Sequence, residues 1–242
     1  MIAFRVPLAG VLLLTTALGQ SEGYQTYPQK VATGLRITIT APANRSLWLT
    51  TGLGLLAALP LDSRIRQQAV EQGLMPEPLA RFGDAWGGYV AALSILPVVY
   101  AAEAIRNAPR QQTYRRLEFT FISLTTVGVT TSMLKWAVGR ERPNGRGYLS
   151  FPSGHTSLSF GVAEVVRTLY GNRIGALFYS LALVTGISRI HDNKHYLSDV
   201  VAGAGLGIGL VRGFNLSLPS KSGSEVVQVA FVPGYIILGF HF

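Results

Sequence analysis

Hydrophobic positions along this chain gather in blocks, and from Trp86 onward the blocks settle into a helical period. Trp86–Ile105, Leu117–Val138, Ser153–Tyr170, Asn172–Ile190 and Tyr196–Phe214 each predict a helix of about five turns. Short turns join most of them: Gly171-Asn172 makes one connection and a Pro-, Gly- and Ser-containing loop at 139–152 another. The front of the chain is less regular. Residues 24–45 are polar, with an alternating patch at Leu35, Ile37 and Ile39 between Pro28 and Pro42, and predict an irregular or short extended arm. Ser46–Leu61 is apolar but brief and broken by two glycines and Pro60. Asp62–Asp84 predicts a short helix from near Ser63, ended by Pro76 and Pro78.

The tail changes character. Pro219–Ser224 reads as a polar linker, and Glu225–Phe242 as two extended runs around Pro233-Gly234, a hairpin packed on the domain. The expected fold class is therefore mostly α: a bundle of five to six helices with a short C-terminal β-hairpin. The expected divisions are a signal peptide at 1–19, an arm with short apolar or interfacial helices at 20–85, a helical core at 86–214, and linker plus hairpin at 215–242. Arg5, the apolar run Leu8–Leu18 and the small-x-small step Ala17-Leu18-Gly19 give residues 1–19 the pattern of a secretory leader.

Glycines at 203, 205, 207 and 209 lack the spacing, the preceding strand and the following lysine of a nucleotide loop. Four-residue spacing puts Gly203 with Gly207 and Gly205 with Gly209 on two small helix faces suited to close packing.

Composition narrows the class. The chain of 242 residues is 48% hydrophobic and 14% charged, with mean hydropathy +0.32, against about 25% charged residues in a soluble domain. No window approaches a clean run of about 20 residues without a charge or a proline. Glu103, Glu118, Glu164 and Arg167 fall within the apolar segments and must face the bundle interior. The net charge of +9 suits an anionic lipid or a phosphate substrate; the basic residues sit in short clusters at helix ends, with no stripe for nucleic acid. The absence of cysteine removes disulfides, thiolate nucleophiles and Cys-bound metals.

Chemistry concentrates between Lys135 and Asp199. Three polar blocks there lie at one end of an up-and-down bundle: KWAVGRERP, FPSGHTSLSF and SRIHDNKHYLSDVVAG. Lys135, Arg142 and Arg189 supply three positive charges, a number matched to a phosphoryl group of nearly two negative ones. Ser153-Gly154-His155 reads as a helix start: a capping hydroxyl, a glycine that lets the backbone approach, and free N–H groups favouring an anion. His195 and Asp199 are four apart and share a helix face, so the carboxylate can hold one imidazole nitrogen and leave the other free to attack. His155 supplies a second imidazole from another helix, suited to a general acid.

Lys135–(six residues)–Arg142-Pro143, Pro152-Ser153-Gly154-His155 and Ser188-Arg189–(five residues)–His195–(three residues)–Asp199 resemble the three-part signature of the type 2 phosphatidic acid phosphatase family. Vanadium haloperoxidases and class A acid phosphatases share that superfamily. The resemblance covers roughly residues 86–214. It implies a bundle of that type, in which His195 attacks phosphorus to give a phosphohistidine and Asp199 orients it. His155 would protonate the leaving oxygen and then activate water. Lys135, Arg142, Ser153, Gly154 and Arg189 would bind the phosphate, with no metal and no cofactor. His191 falls outside the signature and is read as loop, while Arg140 and Arg146 are expected to reach a larger head group. The substrate class is a lipid phosphate or pyrophosphate (phosphatidate, phosphatidylglycerol phosphate, undecaprenyl pyrophosphate or lipid A phosphate). The alternatives are a periplasmic acid phosphatase and a vanadate-dependent haloperoxidase.

Arg106, Arg110, Arg115, Arg116, Arg167, Arg173 and Arg212 gather at the end opposite the three blocks. The positive-inside tendency makes that end cytoplasmic. The expectation is a bacterial envelope protein, membrane-associated and in the inner membrane, its site facing the periplasm. The alternative is a wholly periplasmic protein.

Overall fold

The computed structural model describes residues 26–217, together with the backbone pairing of 226–232 and 235–241. The expected signal peptide at 1–19 lies outside the described residues.

Prolines at helix starts organise the front half. The missing N–H of proline costs nothing in a first turn, where no intrahelical acceptor exists. The Thr26 N–H donates to Gln29 Oε1 at 2.8 Å, and Pro28 sits in the first turn of α1, Tyr27–Thr40. Pro42 opens α2, Pro42–Ala58, in the same way. A 3-10 turn, Leu59–Leu61, carries Pro60 into α3, Asp62–Gln72. Pro76 flanks and Pro78 lies within the first turn of α4, Glu77–Trp86. The expected irregular arm at 24–45 is thus corrected to helix. Leu35 packs on the core while Ile39 is 74% exposed, so the alternating patch does not form the single face a strand requires.

The remaining helices are α5, Tyr89–Ile105; α6, Arg110–Val138; α7, Gly154–Tyr170; α8, Asn172–His191; and α9, Leu197–Ser217. Strand β1, Val226–Val232, pairs antiparallel with β2, Tyr235–His241, Val232 opposite Tyr235. The described body, residues 26–217, holds nine α-helices and no strand. This corrects the expectation of five to six helices: the prolines read as breaks at 28 and 42, and as helix ends at 76 and 78, mark helix beginnings.

The bundle is built around α7, whose residues Thr156 through Val166 are all buried and which packs against α8, α9 and α6. The α9 glycines let neighbours come close, as the four-residue spacing predicts. A Cβ at Gly203 would lie 2.7 Å from the Ser153 carbonyl, and one at Gly207 would strike Ser157 of α7. Gly205 and Gly209 instead admit Thr51 and Trp48 of α2. Acidic side chains inside the helices face inward with partners. Glu103 accepts from Arg116 and Gln112 at 2.5 and 3.1 Å, and Glu118 meets Lys30 at 2.5 Å. Glu164 accepts from Arg167, Arg212 and Tyr179.

Helices α6, α8 and α9 are long and apolar enough to cross a membrane. Helices α4 and α5 pass the same test as one unit bent by 63° at Gly87-Gly88. Leu93, Met133 and Trp136 project from this framework with most of their surface exposed. An apolar exterior over polar, ion-paired interior positions is the pattern of a membrane-associated protein.

Candidate active site

The end of the bundle that carries the three blocks is held by backbone geometry. Gly139, in the left-handed region at φ 57°, ends α6 one turn after Lys135 and sends the chain into the 140–153 connection. After α8, the N–H groups of Lys194 and His195 both donate to the Arg189 carbonyl, at 3.0 and 3.2 Å. That folds the turn so that His195 faces back into the bundle. The Ser153 N–H donates to the Asp199 carbonyl at 3.0 Å and ties the second block to the third.

Asp199 is fully buried and heavily bonded. Its Oδ2 accepts from Ser150 Oγ at 2.6 Å and the Tyr196 N–H at 2.9 Å. Its Oδ1 accepts from Arg140 at 2.8 Å. The same guanidinium donates to Asp62 Oδ2 at 2.8 Å and lies 4.1 Å over the Tyr196 ring. Arg140 therefore points at the carboxylates, which corrects the expectation that it reaches outward for a head group: two buried acids on α3 and α9 compete for it more strongly than solvent.

His195 is almost wholly buried, with Nδ1 3.6 Å from Asp199 Oδ2. That is an electrostatic contact longer than a hydrogen bond, and Nδ1 has no hydrogen-bond partner. Burial pushes the His195 pKa below the ordinary histidine value, and the Lys135 and Arg142 charges push the same way, against the Asp199 carboxylate. Lys135, Arg142 and Asp199 therefore all act on one imidazole. The Lys135 Nζ donates to the Leu149 carbonyl at 2.6 Å, and its Cε lies 3.6 Å from where a Cβ would stand on Gly154. The half-buried Arg142 starts a tight loop, its N–H donating to Gly147 and its carbonyl accepting from Gly145, both at 2.9 Å.

Arg189 is buried at 2% exposure, with its guanidinium between two acids. NH1 lies 2.5 Å from Asp84 Oδ1 and NH2 2.6 Å from Asp192 Oδ2, while Nε is unbonded. Lys194 meets the same two acids at 3.2 Å each. His155, in the first turn of α7, has Nε2 3.7 Å from Asp84 Oδ1. Its ring lies against Gly87 and Gly88, where a Cβ would come within 3.0 and 3.3 Å. The positive φ of 67° at Gly88 makes the bend between α4 and α5 that leaves this space. Burial lowers the His155 pKa to about 4, and the Arg189 charge adds to the shift. Among the described residues, the three blocks thus meet at one end of the bundle, His195 beside Asp199 and His155 beside Asp84 and its partner Arg189.

Two expectations need refinement. Ser153 stands before α7, yet its Oγ accepts from Thr156 Oγ1 at 2.9 Å and makes no cap to the backbone. The neighbouring hydroxyl takes the place of the N–H it was expected to bind. His191 lies beside the site and not in it: Nδ1 accepts from the Leu74 N–H at 3.0 Å, locking α8 to the loop before α4.

Asp84, Asp62 and the Gly87-Gly88 break were missed by sequence reasoning because they precede the three blocks by more than 45 residues. The Gly-Gly pair was the one visible signal of a break there.

The described bundle thus carries two histidines, an aspartate and clustered cations at one end. The family model described as the PAP2 superfamily matches residues 119–221, the stretch that holds all three blocks. A lipid A 1-phosphatase of Porphyromonas gingivalis is 39% identical over 90 residues, 36% of this chain and 20% of its own length. A second lipid A 1-phosphatase, from Rhizobium etli, is 28% identical over 175 residues, covering 63% of this chain and 73% of that protein. The chain spans less than two thirds of the length of the first curated relatives it matches. The crystal structure of a transmembrane PAP2-type phosphatidylglycerolphosphate phosphatase from Bacillus subtilis superposes with a TM-score of 0.56. It is 20% identical and covers 74% of this chain and 98% of the other, a likeness of fold alone.

Proposed function

We propose that the protein hydrolyses a phosphoryl group from a lipid at this site. The observation that carries the lipid reading is an apolar groove of about 480 Å3 between α5 and α6. Tyr89 and Trp136 line its site end, adjacent in sequence to Gly88 beside His155 and to Lys135. An acyl or prenyl chain in this groove would place its phosphate among the cations. The named activities of the lipid A 1-phosphatase relatives support the same class.

In the proposed reaction Lys135, Arg142, Arg189 and the α7 N-terminus, with Ser153 and Gly154, hold the phosphoryl oxygens. His195 Nε2 attacks phosphorus as the ester P–O bond breaks, and the electron pair leaves on the substrate oxygen. A proton from His155 neutralises that oxygen. Asp199 steadies the charge that develops on His195. Water then attacks the phosphohistidine, giving its proton to His155, and the P–N bond breaks to release phosphate and restore both imidazoles. His155 must carry a proton in the first step, although burial and Arg189 disfavour it in the empty pocket. The incoming phosphate supplies the negative charge that reverses this balance.

The cationic end of the bundle at Arg106, Arg110 and Arg173 favours a cytoplasmic position for that end and a periplasmic one for the site. The test is phosphate release from a panel of lipid phosphates in mixed micelles, with a soluble aryl phosphate alongside. Turnover of the lipids and its loss in His195→Ala are expected. Preference for the aryl phosphate would overturn the lipid claim, and undiminished release by the variant would overturn the mechanism.

A further inference from the structure

A second cavity, of about 700 Å3, opens between the 140–153 connection, the turn after α8, and α3. Three arginines line it: Arg66 on α3, and Arg142 and Arg146 in the connection. Five arginines packed into the bundle, Arg116, Arg140, Arg167, Arg189 and Arg212, each meet a carboxylate within 2.8 Å. Arg66, Arg142 and Arg146 meet none among the described residues. Of the two acids on the cavity wall, Asp192 is already engaged by Arg189 and Lys194. Only Glu141 offsets the three guanidiniums. Arg142 belongs to both spaces, because its charge also acts on His195. On the same wall, the buried Oδ1 of Asn193 has no hydrogen-bond partner, an acceptor suited to a hydroxyl or a protonated phosphoryl oxygen.

Unpaired guanidiniums, those of Arg66 and Arg146 exposed and that of Arg142 half-buried, around a polar cavity form a site for an anion with several oxygens. We propose that this cavity is a second phosphoryl subsite, continuous with the first through Arg142. The preferred substrates would then carry two phosphoryl groups, one at His195 and one between Arg66 and Arg146. This deepens the phosphatase reading and rests on it for the identity of the first position.

The subsite is tested by binding, so that its outcome does not depend on turnover. Calorimetric titration of the full-length protein in detergent compares inorganic pyrophosphate with inorganic phosphate. Pyrophosphate is expected to bind roughly tenfold or more tightly, a margin set by added charge-assisted hydrogen bonds. In the Arg66→Gln/Arg146→Gln variant that ratio should fall to near one. Arg64→Gln, which removes one charge from the same helix outside the cavity, should keep it. Equal affinities for the two anions in the unaltered protein would overturn the subsite. So would a ratio unchanged in the double variant, or one reduced as much by Arg64→Gln. Failure of lipid phosphate turnover, measured separately, would bear on the phosphatase reading alone.

Discussion

Asp84 Oδ1 lies 2.5 Å from NH1 of Arg189, so a carboxylate already sits against the most deeply buried cation of the pocket. It also lies 3.7 Å from His155 Nε2, and Oδ2 lies 3.2 Å from Lys194. Asp84 comes from α4, outside the segment matched by the superfamily, and it resembles an internal substitute for the phosphate.

A negative group in this position repels an incoming anion and favours its departure. Asp84→Asn should therefore bind inorganic phosphate and vanadate more tightly, by on the order of tenfold or about 1.4 kcal/mol. Turnover should fall as product release slows. Competitive inhibition constants for the two anions measure this directly. Weaker inhibition in the variant would instead make Asp84 a support for Arg189.

The pH profile follows from His195. Burial, with Lys135 and Arg142, lowers its pKa, so the neutral imidazole survives below the ordinary value of about 6.5. Attack in the proposed reaction requires the neutral form, and the acid limb of kcat/KM should accordingly lie below pH 6.5. Asp199 opposes the shift. In Asp199→Asn the limb should move lower still, while turnover drops on the order of 10²–10⁴-fold through lost orientation and charge stabilisation. An acid limb that moved upward in the variant would contradict this electrostatic account.

The placement of the candidate site was more legible in the sequence than the architecture. Fixed spacing encodes the site: His195 and Asp199 must face the same way one turn apart, and loops 140–153 and 192–196 must emerge at one end. Boundaries in the front half were misread because proline marks both the end of one helix and the start of the next. Pro28, Pro42 and Pro78 serve the second purpose. Asp62 and Asp84 were invisible for a different reason. A lone carboxylate gains meaning only from the cation that tertiary packing sets beside it, here Arg140 and Arg189.

In the proposed reaction Arg140 acts through Asp199. Its fork spans the carboxylates of Asp62 and Asp199 while its plane stacks on Tyr196. A lysine cannot make both bonds and the stack at once. Arg140→Lys should lower kcat by roughly 10–100-fold, because a misplaced supporting group disturbs the attack geometry, with KM little changed. A purely structural role would instead show as equal loss of folded protein and of activity. Activity per folded molecule, from thermal unfolding and single-turnover phosphate release, separates the two. Asp62→Asn should reproduce the effect more weakly, since Asp199 would retain its own bond to Arg140.

The far end of the bundle gives a prediction about stability. Glu164 is fully buried on α7 and accepts two bonds from Arg167, at 2.7 and 2.6 Å, one from Arg212 at 2.8 Å, and one from Tyr179. The carboxylate joins α7, α8 and α9 at the end opposite the site. Removing it leaves the Tyr179 phenol without its acceptor and gives up the bonds of two guanidiniums that are each about one-third exposed. Glu164→Ala should cost about 1–3 kcal/mol, the usual penalty for hydrogen-bond partners left unmatched. Arg212→Gln should cost much less, because Arg212 is about one-third exposed and water can replace its bond. Denaturant or thermal unfolding in a fixed detergent measures both. Equal losses for the two variants would mean that solvent reaches Glu164 and that this network does not clamp the bundle.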